Sequence, residues 1–146
     1  SKTAVLILAE KNSATDDILM ANMALYHQTI AQKDTTRALQ ILNTVLKSNS
    51  SMYTAEAHYL IASIYFNQQK YNIAEKTAFD VIKKQASYEF WVTKSYILLG
   101  DIYLAQNDNF NAIATYKSIA ENATIPALQQ IASDKLKAIT ENIKAQ

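Results

Sequence analysis

A chain of 146 residues, 49 % of them apolar, can build a continuous core, and its formal net charge of +1 offers no strong field to nucleic acid or anionic lipid. Arg37 is the one arginine and cysteine is absent, which counts against phosphate or base readout and removes disulfides, thiolate catalysis and cysteine-ligated zinc. With one glycine (Gly100) and one proline (Pro126), phosphate loops and dinucleotide fingerprints are excluded and the composition reads as almost wholly helical.

Lys2 to Lys11 reads as a short helix, although its apolar run fits a strand as well. Ser13, Thr15 and Asp16 are cap candidates for a second helix reaching about Ala31, with Ile18, Leu19, Met23, Tyr26 and Ile30 on its apolar face. Gln32 to Asp34 is a turn, and Thr35 to Lys47 returns with Ala38, Leu39, Ile41, Leu42, Val45 and Leu46. After the polar break Ser48 to Ser51, a helix over Met52 to Phe66 turns at Asn67 to Lys70 into another over Tyr71 to Lys84. Ser87 caps a strongly apolar helix over Tyr88 to Ala105, which turns at Gln106 to Asn109 into Phe110 to Asn122. Pro126 suits the first turn of a last helix running to about Lys144, with Asp134, Lys137, Glu141 and Lys144 on its outer side. Short linkers inside each pair force antiparallel neighbours, and no pair can bury both of its faces alone. No run approaches the roughly 20 apolar residues of a membrane span, and the start at Ser1 rather than Met reads as a trimmed or mature fragment.

Four alanines mark the period: Ala4, Ala38, Ala74 and Ala112 stand 34, 36 and 38 residues apart, early in successive helical patterns. Around them the residues resemble the tetratricopeptide repeat (TPR). The clearest copy is Tyr96, Leu99-Gly100 and Tyr103, then Ala112, Tyr116 and Ile119. The middle copy is His58, Ile61-Ala62 and Tyr65, then Ala74, Ala78 and Val81. The first is Asn22 and Leu25-Tyr26, then Ala38, Leu42 and Val45, with Tyr26 where a small residue is expected. Ala4 and Leu8 fit a second helix whose partner would precede the chain. The resemblance covers about residues 14–122. It implies an all-α fold, a right-handed superhelix of antiparallel helix pairs with seven or eight helices. The expected division is one TPR-like domain over 1–146: a partial repeat 1–12, pairs 14–48, 51–84 and 87–122, and a capping helix 125–144.

The resemblance further implies that the first helices line a concave face. That register exposes Met20, Met23, His27 and Ile30, then Glu56, Tyr59, Ser63, Phe66 and Asn67, then Lys94, Ile97, Asp101, Leu104 and Ala105. Such a groove suits a peptide or amphipathic helix, with specificity from Glu56, Lys94 and Asp101. The same residues would equally pack on neighbouring repeats of a parent chain or on another copy. A known TPR subclass clamps a terminal carboxylate; Met23, His27, Leu60, Lys94 and Leu98 stand at its positions, and only Lys94 fits. The segment Phe90 to Tyr103 looks like the terminal repeats of large bacterial TPR proteins, many of them exported, which favours the cell envelope or periplasm over the cytoplasm.

Other chemistry finds little support. His27 and His58 lack a ligand at i+3 or i+4, as a metal pair on one helix would need, so neither metal nor cofactor is implied. Asp16-Asp17 reads as a solvated helix start, and Phe90-Trp91 as a plug between repeats before a partner anchor. Tyr65, Tyr96, Tyr103 and Tyr116 are assigned to packing between repeats. The leading expectation is a non-enzymatic scaffold for a protein or peptide partner, without nucleic acid. The alternatives are a purely architectural or self-associating stretch of a longer solenoid, including a homo-oligomer, and then a helical enzyme or ligand-binding domain.

Overall fold

The computed structural model describes the backbone of residues 2–48 and 52–146, and the side chains of Ala4, residues 15–48 and residues 52–146. Among the described residues there are seven helices and no strand. They are α1 (Lys2–Ala31), α2 (Thr35–Leu46), α3 (Met52–Asn67), α4 (Tyr71–Lys84), α5 (Glu89–Ala105), α6 (Asn109–Asn122) and α7 (Pro126–Ala145). Two compact units divide the chain, Ser1–Ala57 and His58–Gln146, with the boundary inside α3.

One expected break is missing. The sequence pattern separates residues 2–11 from a helix starting near Asp16, but α1 runs through without interruption. No glycine or proline lies in Lys2–Ala31, and Asn, Ser, Thr and Asp in a helix interior each cost under about 1 kcal/mol. The side chain of Ser13, the expected cap, lies outside the described residues. A smaller shift occurs at α5, whose N-cap is Tyr88 rather than Ser87 and makes no side-chain cap bond. Pro126 opens α7 as expected.

The turns within α1–α2, α3–α4 and α5–α6 are built alike. Lys33, Gln69 and Asn107 adopt left-handed φ values of 63°, 59° and 60°. In each turn the next amide donates back five residues, Asp34 to Thr29, Lys70 to Tyr65 and Asp108 to Tyr103, at 3.2, 2.9 and 2.9 Å. The left-handed residue itself donates to the carbonyl three back. This is the Schellman closure, which satisfies carbonyls that a helix end leaves without partners. Asp34 and Asp108 then cap the next helix, each carboxylate accepting the amide three residues on, Arg37 and Asn111, at 3.1 Å.

The left-handed residues lie 36 and 38 positions apart, which repeats the alanine ladder. The longer period comes from the helices: α2 and α4 have 12 and 14 residues, α3 and α5 have 16 and 17. In the first unit α1 and α2 pack together, with Leu19, Met23 and Tyr26 of α1 and Ala38, Ile41, Leu42 and Val45 of α2 buried. In the second, one cluster joins Ala62, Ala74 and Ala78 to Leu98, Leu99 and Ile102. Another joins Ile97, Ala112, Tyr116 and Ile119 to Leu128, Ala132 and Ile139 of α7. The outer residues Asp134, Lys137, Glu141 and Lys144 of α7 are exposed, as expected of a cap.

Candidate functional site

In the second unit, α3 and α5 bring Tyr59, Phe90, Trp91 and Lys94 together. The rings of Tyr59 and Trp91 lie 5.5 Å apart at 37°, and Phe90 meets Trp91 edge-on at 4.8 Å. The Lys94 amine stands 5.1 Å above the Tyr59 ring, within range of a cation–π attraction. Trp91 and Lys94 are half-buried while Phe90 is exposed. Trp91 therefore fills a space between first helices as expected, whereas Phe90 does not. The outcome is an aromatic ledge with one positive charge held over it. Ser63 and Phe66, one and two turns along α3, are half-buried, and Phe66 leans on Tyr71 at 5.9 Å.

In the first unit, Met20 and His27 are exposed, and His27 Nε2 lies 3.9 Å from Glu56 Oε1. Burial pushes the Glu56 carboxyl above its usual range, and the nearby His27 pulls it partly back. Burial also raises the Tyr26 hydroxyl, with the Glu56 carboxylate adding to it.

Several expected groove residues serve other purposes. Met23 and Ile97 are buried, and Ile97 belongs to the cluster built with α6 and α7. Asp101 is half-buried and engaged twice: it accepts the Tyr116 hydroxyl at 2.5 Å and the Lys135 amine at 2.8 Å. Ile30 is half-buried and Leu104 exposed. Tyr96, assigned to packing, is exposed. The Asp101–Tyr116–Lys135 link ties α5, α6 and α7 together. The sequence gives no local cue for it, since its members stand 15 and 34 residues apart.

Among the described residues no group of three or more His, Asp or Glu side chains could hold a metal ion. No described helix is long and apolar enough to cross a membrane. His58 is half-buried, its Nδ1 lacks a hydrogen-bond partner, and burial lowers its pKa.

A family model for the tetratricopeptide repeat matches residues 55–78 and 93–122. The first stretch spans α3 and the start of α4, the second α5 and α6. Over these two stretches the chain carries tetratricopeptide repeats. No curated protein and no solved structure matched it. The repeat accounts for the helix pairs and for the small residues Ala62, Gly100, Ala74 and Ala112, all buried where helices meet. TPR repeats are in general non-enzymatic modules for protein–protein interaction.

Proposed function

We propose that the chain is a protein-docking scaffold whose contact surface in the second unit is the ledge of Tyr59, Phe90, Trp91 and Lys94. The observation that carries this reading is an exposed phenylalanine and a half-buried tryptophan beside a lysine on α5, with the tryptophan ring 5.5 Å from that of Tyr59 on α3. Aromatic side chains supply large contact area at little entropy cost and dominate binding hot spots. Lys94 selects a partner with a carboxylate close to an apolar side chain. Ser63 and Phe66 extend the surface along α3. Asp101 is left out, because its carboxylate already bonds Tyr116 and Lys135.

The test compares partner recovery by the wild type, a Trp91→Ala/Lys94→Glu variant and a Phe110→Ser control on α6. Recovery of the same partner should fall about tenfold or more with the double change, the size expected for loss of a hot-spot aromatic. The control should bind as the wild type does. Equal recovery by all three would place docking elsewhere.

A further inference from the structure

We propose that the outer strip of α1 formed by Ile18, Ala21 and Leu25 is an interface between two copies of this chain, each copy laying its residues 2–12 across the strip of the other. Three observations lead there. First, the strip is open in α1 and closed at the same repeat positions of α3. Ile18 and Leu25 are 61 % and 37 % exposed, and Ala21 is exposed too. The turn register, 36 residues on, places Thr54, Ala57 and Ile61 of α3 at these positions, with exposures of 5 %, 0 % and 5 %. A further 38 residues on, Leu99 of α5 is 2 % exposed. It is covered by Ala74 and Ala78 of α4, the second helix of the preceding pair. The α1 strip is thus the same interface without its second helix.

Second, the chain has the sequence of that missing helix. In the alanine ladder Ala4 and Leu8 take the places of Ala74 and Ala78, and residues 13–17 take the place of the linker 47–51. Third, this stretch does not fold back. The helix continues through residues 13–17. At about 1.5 Å per residue it carries the middle of residues 2–12 roughly 20 Å along the axis from the strip. A straight segment cannot cover its own strip, but it can cover that of a second copy. Two antiparallel α1 helices crossing near Thr15 satisfy both strips at once, the self-complementary geometry of a two-fold dimer made by exchange. The exchanged segment carries Lys2, Glu10 and Lys11, and Asp16 and Asp17 stand beside the strip, a net +1 against −2.

The experiment is light scattering on the 146-residue chain, at concentrations up to about 50 µM, where a micromolar dimer is populated. The expected mass is about twice 16.3 kDa. An Ile18→Glu/Leu25→Glu variant should be monomeric with unchanged helical content, since both side chains are exposed. Ser13→Pro, which interrupts α1 at the linker position and frees residues 2–12 to fold back, should also be monomeric. A wild-type monomer, or a dimer that survives either change, would overturn the proposal.

Discussion

Gly100 sits where α5 passes the ring of Tyr116. A Cβ built on it would meet ring carbons Cδ1 and Cζ at 2.8 Å and overlap Cε1. The ring cannot retreat: Tyr116 is fully buried and its hydroxyl is bonded to Asp101. Alanine is the better helix former by about 1 kcal/mol, yet overpacking of a closed core costs about 1–3 kcal/mol. Gly100→Ala should therefore lower stability by up to about 2 kcal/mol in urea unfolding, with no change in slope. The same contact explains an apparent fault in the sequence. Register places Tyr26 and Leu42, Ala62 and Ala78, and Gly100 and Tyr116 at matching positions of the three pairs. The large residue lies on the second helix in the third pair and on the first helix in the first pair. Tyr26 is no break in the repeat: it is buried, as Gly100 is.

The helices show why most of the fold was readable. Low glycine and proline, apolar faces of helical period and polar breaks placed six of the seven helices to within a residue or two. The break near Ser13 failed because residues 11–17 have the composition of a linker and no residue that stops a helix. The left-handed turn residues were also hidden: Lys33 and Gln69 are not the glycine or asparagine that usually marks this conformation. The candidate site was less legible still. The helical period shows that Met23 and Ile97 share a face with exposed neighbours, but not that another helix covers them. The three turns differ in one useful respect. Asp34 and Asp108 cap the helices that follow, while Lys70 makes no side-chain cap bond. Lys70→Asp should supply the missing acceptor to the Ile73 amide and raise stability by about 0.5–1 kcal/mol, read as a higher midpoint of thermal unfolding. The Lys70 amine, 5.9 Å from the centre of the Tyr65 ring, is a small loss beside it.

For the molecule as a whole, burial sets the pH range of stability. Tyr116 has its hydroxyl pKa raised far above the ordinary 10.0, first by burial and then by the Asp101 carboxylate that accepts its proton. Tyr26 and Tyr103 shift the same way, again mainly by burial. A raised folded pKa means that the folded chain holds its proton where the unfolded chain releases it. Stability is thus intact below pH 10.0 and declines as pH rises beyond it. His58 works in the opposite direction. Burial lowers its pKa below 6.5, so its contribution is intact above that value and is lost as pH falls through the folded pKa. Urea midpoints measured from pH 5 to 11 should fall at both ends. Tyr116→Phe should flatten the alkaline limb and His58→Gln the acid one, and limbs unmoved by these changes would assign the titration to other groups.

The repeated turns carry a further implication for how such a chain tolerates change. Main-chain amides and carbonyls close each Schellman turn, so the side chains at Gln32 or Gln68 can vary with little consequence, while the left-handed Lys33 and Gln69 exclude β-branched residues. The number of residues cannot. Removing one would rotate the following helix by about 100° about its axis. That would swing Ala38, Ala74 or Ala112, each fully buried against its partner, out toward solvent and bring a polar neighbour in. Insertions are harmless only between pairs, where the chain already varies.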